Sequence, residues 1–392
     1  MQKILITGGN FINKGAQSML FCLVDNVKTQ YPNAEIVMID LFPTQKNKDK
    51  ENYTFKIVNM HIRTLLRMAF PVLKLLVKPK PISNPEKEIA HHFKTADIIL
   101  DISGYGVSSH NQSPLWTYAS LYPVKLAKKN NIPFIFLPQT LGPFEFKGWK
   151  KVIIWPLIKK YLKYPKTIFI REPECRKHTD KIRTQGVLDS FDLVLQSDKI
   201  SLENLYKNTS MLADQNFDVE NNSIIIIPNK QLTKLKPKDQ VVEIFSNIIS
   251  SLLQSNHKVV IMRHSADDKE LCNTIYRDVN DNRLKMINED LTPYQIQKIL
   301  EPAQIVIAAR YHGLIHALKL KKPCFVIGWA HKYQHVMNSF SLNDYYFDIR
   351  YSSFEFINTS LNKMLAEKDL LQDKIEQQLK EVQSLNIYKH IK

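Results

Sequence analysis

The apolar positions of this chain fall into two stretches of the same rhythm, separated by a polar interruption. Short, nearly continuous apolar runs at 3–7, 35–39, 97–102, 133–137 and 167–171 read as strands. A parallel strand covered on both faces has no polar side to show, so it lacks the alternation of a half-exposed strand. Between these runs, 16–29, 115–129 and 173–183 read as helices. The polar stretch 198–222 breaks the rhythm, and 223–227 resumes it as a strand. Val241, Val242, Phe245, Ile248, Ile249, Leu252 and Leu253 then recur at the spacing of one apolar helix face. A strand at 258–262 follows. Thr292-Pro293-Tyr294-Gln295 marks a helix start, with Thr as N-cap, Pro in the first turn and Gln completing a capping box. Strands at 305–309 and 323–327 come next, and 356–384 reads as one or two closing helices. This pattern predicts an α/β protein with two doubly wound Rossmann-like domains facing a cleft, over 1–210 and 222–355, with 356–392 closing the chain.

Glycine sharpens that picture. Only 10 of 392 residues are Gly, far below the usual ~7%. Eight of them (Gly8, Gly9, Gly15, Gly104, Gly106, Gly142, Gly313 and Gly328) lie just after a predicted strand, where backbone turns sharply or approaches a ligand.

The net charge of +16 implies an anionic partner: nucleic acid, an acidic metabolite or an anionic membrane face. A general abundance of Lys, Asn and Ile accounts for part of the excess. No nucleic-acid-binding module pattern is present, so nucleic acid is not the expected partner. Cys22, Cys175, Cys272 and Cys324 form no CxxC pair or metal-ligand spacing. Three lie in apolar or helical contexts and read as reduced, packed thiols, which suits the cytoplasm. Cys175, close after Arg171, has no sequence-near base to make it a nucleophile. The N-terminus leads straight into a strand, with no signal-peptide pattern. The apolar run 65–77 is too short to span a bilayer and contains Arg67, Pro71 and Lys74.

The most informative stretch is Arg310-Tyr311-His312-Gly313, between the strand at 305–309 and the helix start Leu314-Ile315-His316. It sets an arginine and a histidine at the carboxyl end of a strand beside a helix N-terminus, where open α/β sheets bind ligands. From Pro302 to Asn343 there is no Asp or Glu, yet Arg310, Lys319, Lys321, Lys322 and Lys332 fall inside. The segment reads as a holder for a small, strongly anionic ligand, with Arg310 able to grip carboxylate or phosphate through two hydrogen bonds. Lys332 reads either as a phosphate contact or as a solvated helix lysine. His264 also ends a predicted strand.

Other strand ends carry candidates. The first loop, Gly8-Gly9-Asn10-Phe11-Ile12-Asn13-Lys14-Gly15, fits neither a dinucleotide fingerprint nor a Walker loop. Its Asn10, Asn13 and Lys14 either present donors to a ligand or belong to a plain turn. Asp101 is a proton acceptor for a sugar hydroxyl or a capping carboxylate. Arg171 is a second anion clamp or the partner of Glu172. His331 and His335 are four apart with no acidic neighbour, and no metal is expected.

Together these motifs resemble the polysaccharide pyruvyl transferase family. The resemblance rests on Asn13–Ala16, the Gln-Thr-Leu-Gly-Pro-Phe element at 139–144, Arg171-Glu172, Arg310-Tyr311-His312-Gly313 and Gly328-Trp329-Ala330-His331-Lys332-Tyr333. It implies a two-domain fold of the GT-B glycosyltransferase type. It also implies transfer of a pyruvyl group from phosphoenolpyruvate to two hydroxyls of a sugar, as a cyclic ketal, with no cofactor. The family's phosphoenolpyruvate contacts carry over to Arg171, Arg310 and His312. His312 is then the expected general acid and Asp101 a helper base. Lys332 adds a phosphate contact, and Asn10, Asn13, Lys14, Gln139 and His264 are expected loop or acceptor contacts. Many relatives have Gly-Asp-Glu in the first loop where this chain reads Asn13-Lys14-Gly15, a departure that bears on acceptor identity.

Two basic stretches, 61–81 and 147–166, mix apolar and aromatic residues with Lys and Arg. They read as core helices with a wet face or as an interfacial surface on anionic lipid. The second reading suits a lipid-linked saccharide acceptor at the inner face of the cell membrane. Two rival readings stand beside the transferase: a GT-B glycosyltransferase using a nucleotide sugar, against which the acid-free 302–343 segment argues, and a non-catalytic basic membrane-associated protein.

Overall fold

The structure, a computed structural model, describes residues 3–41, 43, 48–110, 113–197, 199–210, 217–351 and 354–391. The chain forms two compact units, Met1–Ser210 with Leu385–Lys392, and Met211–Ser384.

The first unit is a parallel sheet of β1 (Lys3–Thr7), β2 (Glu35–Asp40), β3 (Lys56–Asn59), β4 (Ile98–Asp101), β5 (Phe134–Gln139), β6 (Thr167–Ile170) and β7 (Val187–Asp189). Its helices are α1 (Lys14–Gln30), α2 (Ile62–Ala69), α3 (Glu86–Thr95), α4 (Pro114–Asn130), α5 (Trp149–Leu162) and the single turn α6 (Arg176–Thr179). The strand order is β3-β2-β1-β4-β5-β6-β7. The inner strands are apolar between their ends, with Ile4, Leu5, Ile6, Ile99, Leu100, Phe134 and Ile135 within 1% of full burial. Burial on both faces is why they read as continuous runs rather than alternating ones.

The second unit has β8 (Ser223–Ile227), β9 (Val259–Met262), β10 (Lys285–Ile287), β11 (Ala303–Ala308), β12 (Cys324–Gly328) and β13 (Tyr346–Asp348). Its helices are α7 (Lys238–Gln254), α8 (Lys269–Val279), α9 (Pro293–Leu300), α10 (Tyr311–Lys319), α11 (His331–Ser339), α12 (Phe354–Ala366) and α13 (Lys368–Ser384). The order is β10-β9-β8-β11-β12-β13, again parallel. Both sheets therefore place their first strand in the centre, the next two on one side and the fourth onward on the other. The order reverses between β1 and β4 and between β8 and β11, and the crevice at such a reversal is where this sheet type binds ligands.

Four features differ from the sequence expectation. The edge strands β3, β7, β10 and β13 have no apolar run to announce them. The predicted helix 173–183 is a 3-10 turn, Pro173–Cys175, followed by α6 alone; the Ile182 and Arg183 N–H groups then close turns on the Thr179 carbonyl. The run 65–77 is broken at Pro71, after α2, into a second 3-10 turn, Pro71–Lys74. The stretch 356–392 is divided. Its helices lie in the second unit, while Leu385–Lys392 returns to the first, where Tyr31 Oη donates to the Ile391 carbonyl at 2.6 Å and Tyr388 Oη lies 2.8 Å from Ser197 Oγ.

At the first reversal, Thr7 and Asp101 are register partners across β1 and β4. Gly8 follows with φ of +81°, and a Cβ there would lie 2.3 Å from the Ser103 backbone nitrogen. Both the left-handed backbone and the close approach require glycine. Gly8→Ala is expected to lower the unfolding free energy by about 1–3 kcal/mol or more, measured as a shift of the denaturant midpoint. An unchanged midpoint would mean that the two loops do not touch as described.

Candidate active site

In the second unit the carboxyl ends of β8, β9, β11 and β12 gather Arg310, His312, Lys332 and His264. Arg310 is the extended residue (φ −102°, ψ 131°) between β11 and α10. Its backbone is fixed from two sides: Asn229, after β8, donates Nδ2 to the Ala309 carbonyl at 2.8 Å, and Tyr333 of α11 donates Oη to the same oxygen at 3.0 Å. The guanidinium is fixed as well. Nε donates to Asp268 Oδ2 at 2.8 Å and Nη2 donates to Asp268 Oδ1. Asp268 is completely buried and also accepts from the Lys230 N–H at 2.9 Å and the Ser265 N–H at 3.1 Å.

Asp268 occupies the Nε–Nη2 edge of Arg310, so a ligand meets the end-on Nη1–Nη2 edge, which still offers two parallel N–H donors. The acid-free segment of sequence is not acid-free in space, because Asp268 arrives from the β9–α8 loop. Its signal was in the sequence: Ser265-x-x-Asp268 directly after a strand is a capping box, and the box is present. Asn229, two residues past the apolar run of β8, is the other residue that holds Arg310 in place.

His312 sits half-buried in the first turn of α10, its ring edge-on to Tyr311 at 5.3 Å between centroids. Lys332 lies over the same Tyr311 ring at 4.9 Å and over Tyr333 at 5.7 Å, which directs its ammonium toward the start of α10. Neither α10 nor α11 has a side-chain cap at its N-terminus, so both helix ends offer positive dipole to an anion. His264 is buried beside fully buried His316, ring centroids 6.4 Å apart. It packs in the β9–α8 loop and is not an open acceptor contact.

The first unit collects the remaining candidates, and most are structural. Asp101 is 1% exposed. It accepts from Thr7 Oγ1 (2.7 Å), the Ser103 N–H (3.0 Å), Ser103 Oγ (2.5 Å) and Gln139 Nε2 (3.4 Å). Burial pushes its carboxyl above the ordinary range, against these donors, which favour the ionised form. With its lone pairs occupied and solvent excluded, Asp101 ties the β1, β4 and β5 loops together and is unsuited to the helper-base role. Gln139, fully buried against Asp101, Ser103 and the Leu137 carbonyl, belongs to the same network rather than to an acceptor surface.

Arg171 is likewise enclosed, 4% exposed. Nε donates to Glu172 at 3.0 Å, Nη1 to Asp192 at 2.8 Å, and Nη2 to Thr140 Oγ1 at 2.8 Å and the Gly104 carbonyl at 3.5 Å. Two buried carboxylates answer its charge, which makes it a tether between the loops in this structure. Cys175 lies beside Glu172, and burial pushes its thiol up to about 12, which leaves it an inert packed group.

In the first loop, Asn10 Oδ1 accepts from the Ile12 and Asn13 N–H groups, and Asn13 Oδ1 caps α1 by accepting from Gly15 and Ala16. Their amide N–H₂ groups remain as donors for a ligand. Lys14 is buried.

Two parallel-sheet Rossmann-like domains, with a fixed arginine, an imidazole and uncapped helix ends at a sheet reversal, define an α/β protein of the GT-B class. Residues 13–331 match the model of the polysaccharide pyruvyl transferase family, and the chain belongs to that family. The match includes Arg171, Arg310 and His312 and stops one residue short of Lys332. Membership makes the protein an enzyme of pyruvyl-transferase type in polysaccharide biosynthesis. No curated protein matches the sequence. Among solved structures, the UDP-GlcNAc 2-epimerase from Methanocaldococcus jannaschii is similar at a TM-score of 0.58 and 12% identity, covering 93% of each chain. S. aureus MnaA, solved with UDP, gives 0.55 and 12%, covering 96% of this chain and 90% of the other. Acinetobacter baumannii MurG gives 0.52 and 10%, covering 100% and 98%. These likenesses establish the fold.

Proposed function

We propose that the protein transfers the pyruvyl group of phosphoenolpyruvate onto two hydroxyls of a sugar in a surface or capsular polysaccharide precursor, at the cytoplasmic side, forming a cyclic ketal. The observation that carries this reading is Arg310, held rigid by buried Asp268 at the carboxyl end of β11, immediately ahead of the uncapped helix that bears His312. Phosphoenolpyruvate brings a carboxylate and a phosphate. The Nη1–Nη2 edge of Arg310, the starts of α10 and α11, and Lys332 are the groups that meet them. Charge-assisted contacts of this kind contribute roughly 1.5–3 kcal/mol each.

His312 then gives a proton to the methylene carbon. Positive character develops at C2, and a sugar hydroxyl bonds there, its proton passing to the imidazole left neutral by the first step. The C2–O bond to phosphate breaks with its electron pair on oxygen, the second hydroxyl bonds to C2, and its proton leaves on the departing phosphate. In the first unit, Arg171 and Asp101 tie together the loops that follow the strands.

Phosphate release from phosphoenolpyruvate with candidate saccharide acceptors tests the proposal. Acceptor-dependent phosphate release with a ketal product is the expected result. Release of a nucleotide from a sugar nucleotide would instead favour the glycosyltransferase reading.

A further inference from the structure

The first unit exposes more large apolar side chains than its fold requires. At the end of α2 and the turn after it, Phe70, Val72, Leu75 and Leu76 are 44–88% exposed. In the first turn of α5, Trp149, Val152 and Ile153 are 52–75% exposed. The two groups share one layer. Phe70 stacks on Tyr118 of α4 at 5.5 Å, and α4 packs along α5. The first turn of α4 adds exposed Leu115 and Trp116. Helices α4 and α5 each follow a strand of the parallel sheet, so their first turns lie toward its carboxyl end, as the Asn10–Asn13 loop does, and the Phe70–Tyr118 stack brings the end of α2 against α4.

The charge around the patch has one sign. From Asn52 to Pro85 there is no acidic residue, against four lysines and two arginines; from Phe146 to Arg171 there is none, against seven lysines and one arginine. Glu86, at the border, is occupied by Arg67 and Lys74. Lys78, Lys80 and Lys151 are exposed.

We propose that this face docks on an anionic lipid bilayer, with the apolar knuckle and the α5 turn entering the headgroup region and the lysines meeting lipid phosphates. Three features favour lipid over a protein partner. Side chains up to 88% exposed project, which suits a fluid medium that closes around them, whereas a protein would need matching recesses. Lysine is depleted in protein–protein interfaces but abundant in membrane-surface elements. An apolar patch ringed by cations combines the two attractions that such binding uses. Among the described residues no helix is long and apolar enough to cross a membrane, so the contact proposed is peripheral.

The test is co-sedimentation of the full chain with vesicles of phosphatidylcholine alone or mixed with phosphatidylglycerol. Retention only by the mixed vesicles, weakened by salt, is expected. Leu75→Ser with Leu76→Ser, Trp149→Ser with Ile153→Ser, and Lys78→Glu with Lys80→Glu and Lys151→Glu should each lower retention by about tenfold or more. Their thermal unfolding should stay that of the wild type, because the sites are exposed. Equal retention by both vesicle types, or variants that bind like wild type, overturns the proposal. So does a change in the oligomeric state of the variants with vesicle retention intact, which would assign the face to a second copy of the chain. Binding is read without turnover, so the outcome is independent of the proposed reaction.

Discussion

His312→Ala is expected to lower the rate of phosphate release from phosphoenolpyruvate by ~10²–10⁴-fold, the usual worth of a positioned general acid. The drop should fall on kcat, with KM for phosphoenolpyruvate changed little, because the proton is delivered in the transition state while the anion is held by other groups. Lys332→Ala should show the converse, a raised KM with a smaller effect on kcat. The geometry separates the two roles. His312 rides on the first turn of α10, half-buried and packed against Tyr311, while Lys332 reaches the same ring from α11. Steady-state kinetics of both variants, with folding checked by circular dichroism, decide the matter. Equal turnover by His312→Ala and wild type removes the imidazole from the mechanism.

The sequence made some of this legible and concealed the rest for physical reasons. Central strands announce themselves because burial on both faces demands unbroken apolar runs, as in Ile224–Ile227. The edge strands stayed hidden because they have one neighbour and partly open faces. β7 buries only Val187 of its three residues, and β10 only Ile287. The common strand order of the two units leaves no sequence repeat, since it is a property of connections and not of side chains. At the site, position was legible and partnership was not. Arg310, His312 and Lys332 were placed by strand–turn–helix logic, but what each charge faces depends on distant segments. Asp268 is 42 positions before Arg310, and Asp192 is 21 after Arg171. A charged residue at a strand end therefore has two equally simple readings from sequence, clamp or tether. For Arg171, Asp101 and Gln139 burial decides for the tether.

That distinction yields the second large effect. Arg171→Met should lower stability by about 3–5 kcal/mol, the typical loss when one partner of a buried ion pair is removed and the other charge is left behind. Here two carboxylates are stranded, with Glu172 and Asp192 exposing 5% and 0% of their side chains. The Thr140 hydroxyl and Gly104 carbonyl lose a donor too. Arg171→Lys keeps the charge but not the planar fork that reaches Glu172, Asp192 and Thr140 at once, so it should recover only part of the loss. Adding Asp192→Asn to Arg171→Met should also recover part, because one stranded charge is then neutral; a double-mutant cycle on denaturant midpoints measures the coupling. At temperatures where Arg171→Met stays folded, its KM for phosphoenolpyruvate should be near that of the wild type. An Arg171→Met protein that unfolds like the wild type but binds phosphoenolpyruvate far more weakly would restore the clamp and refute the tether.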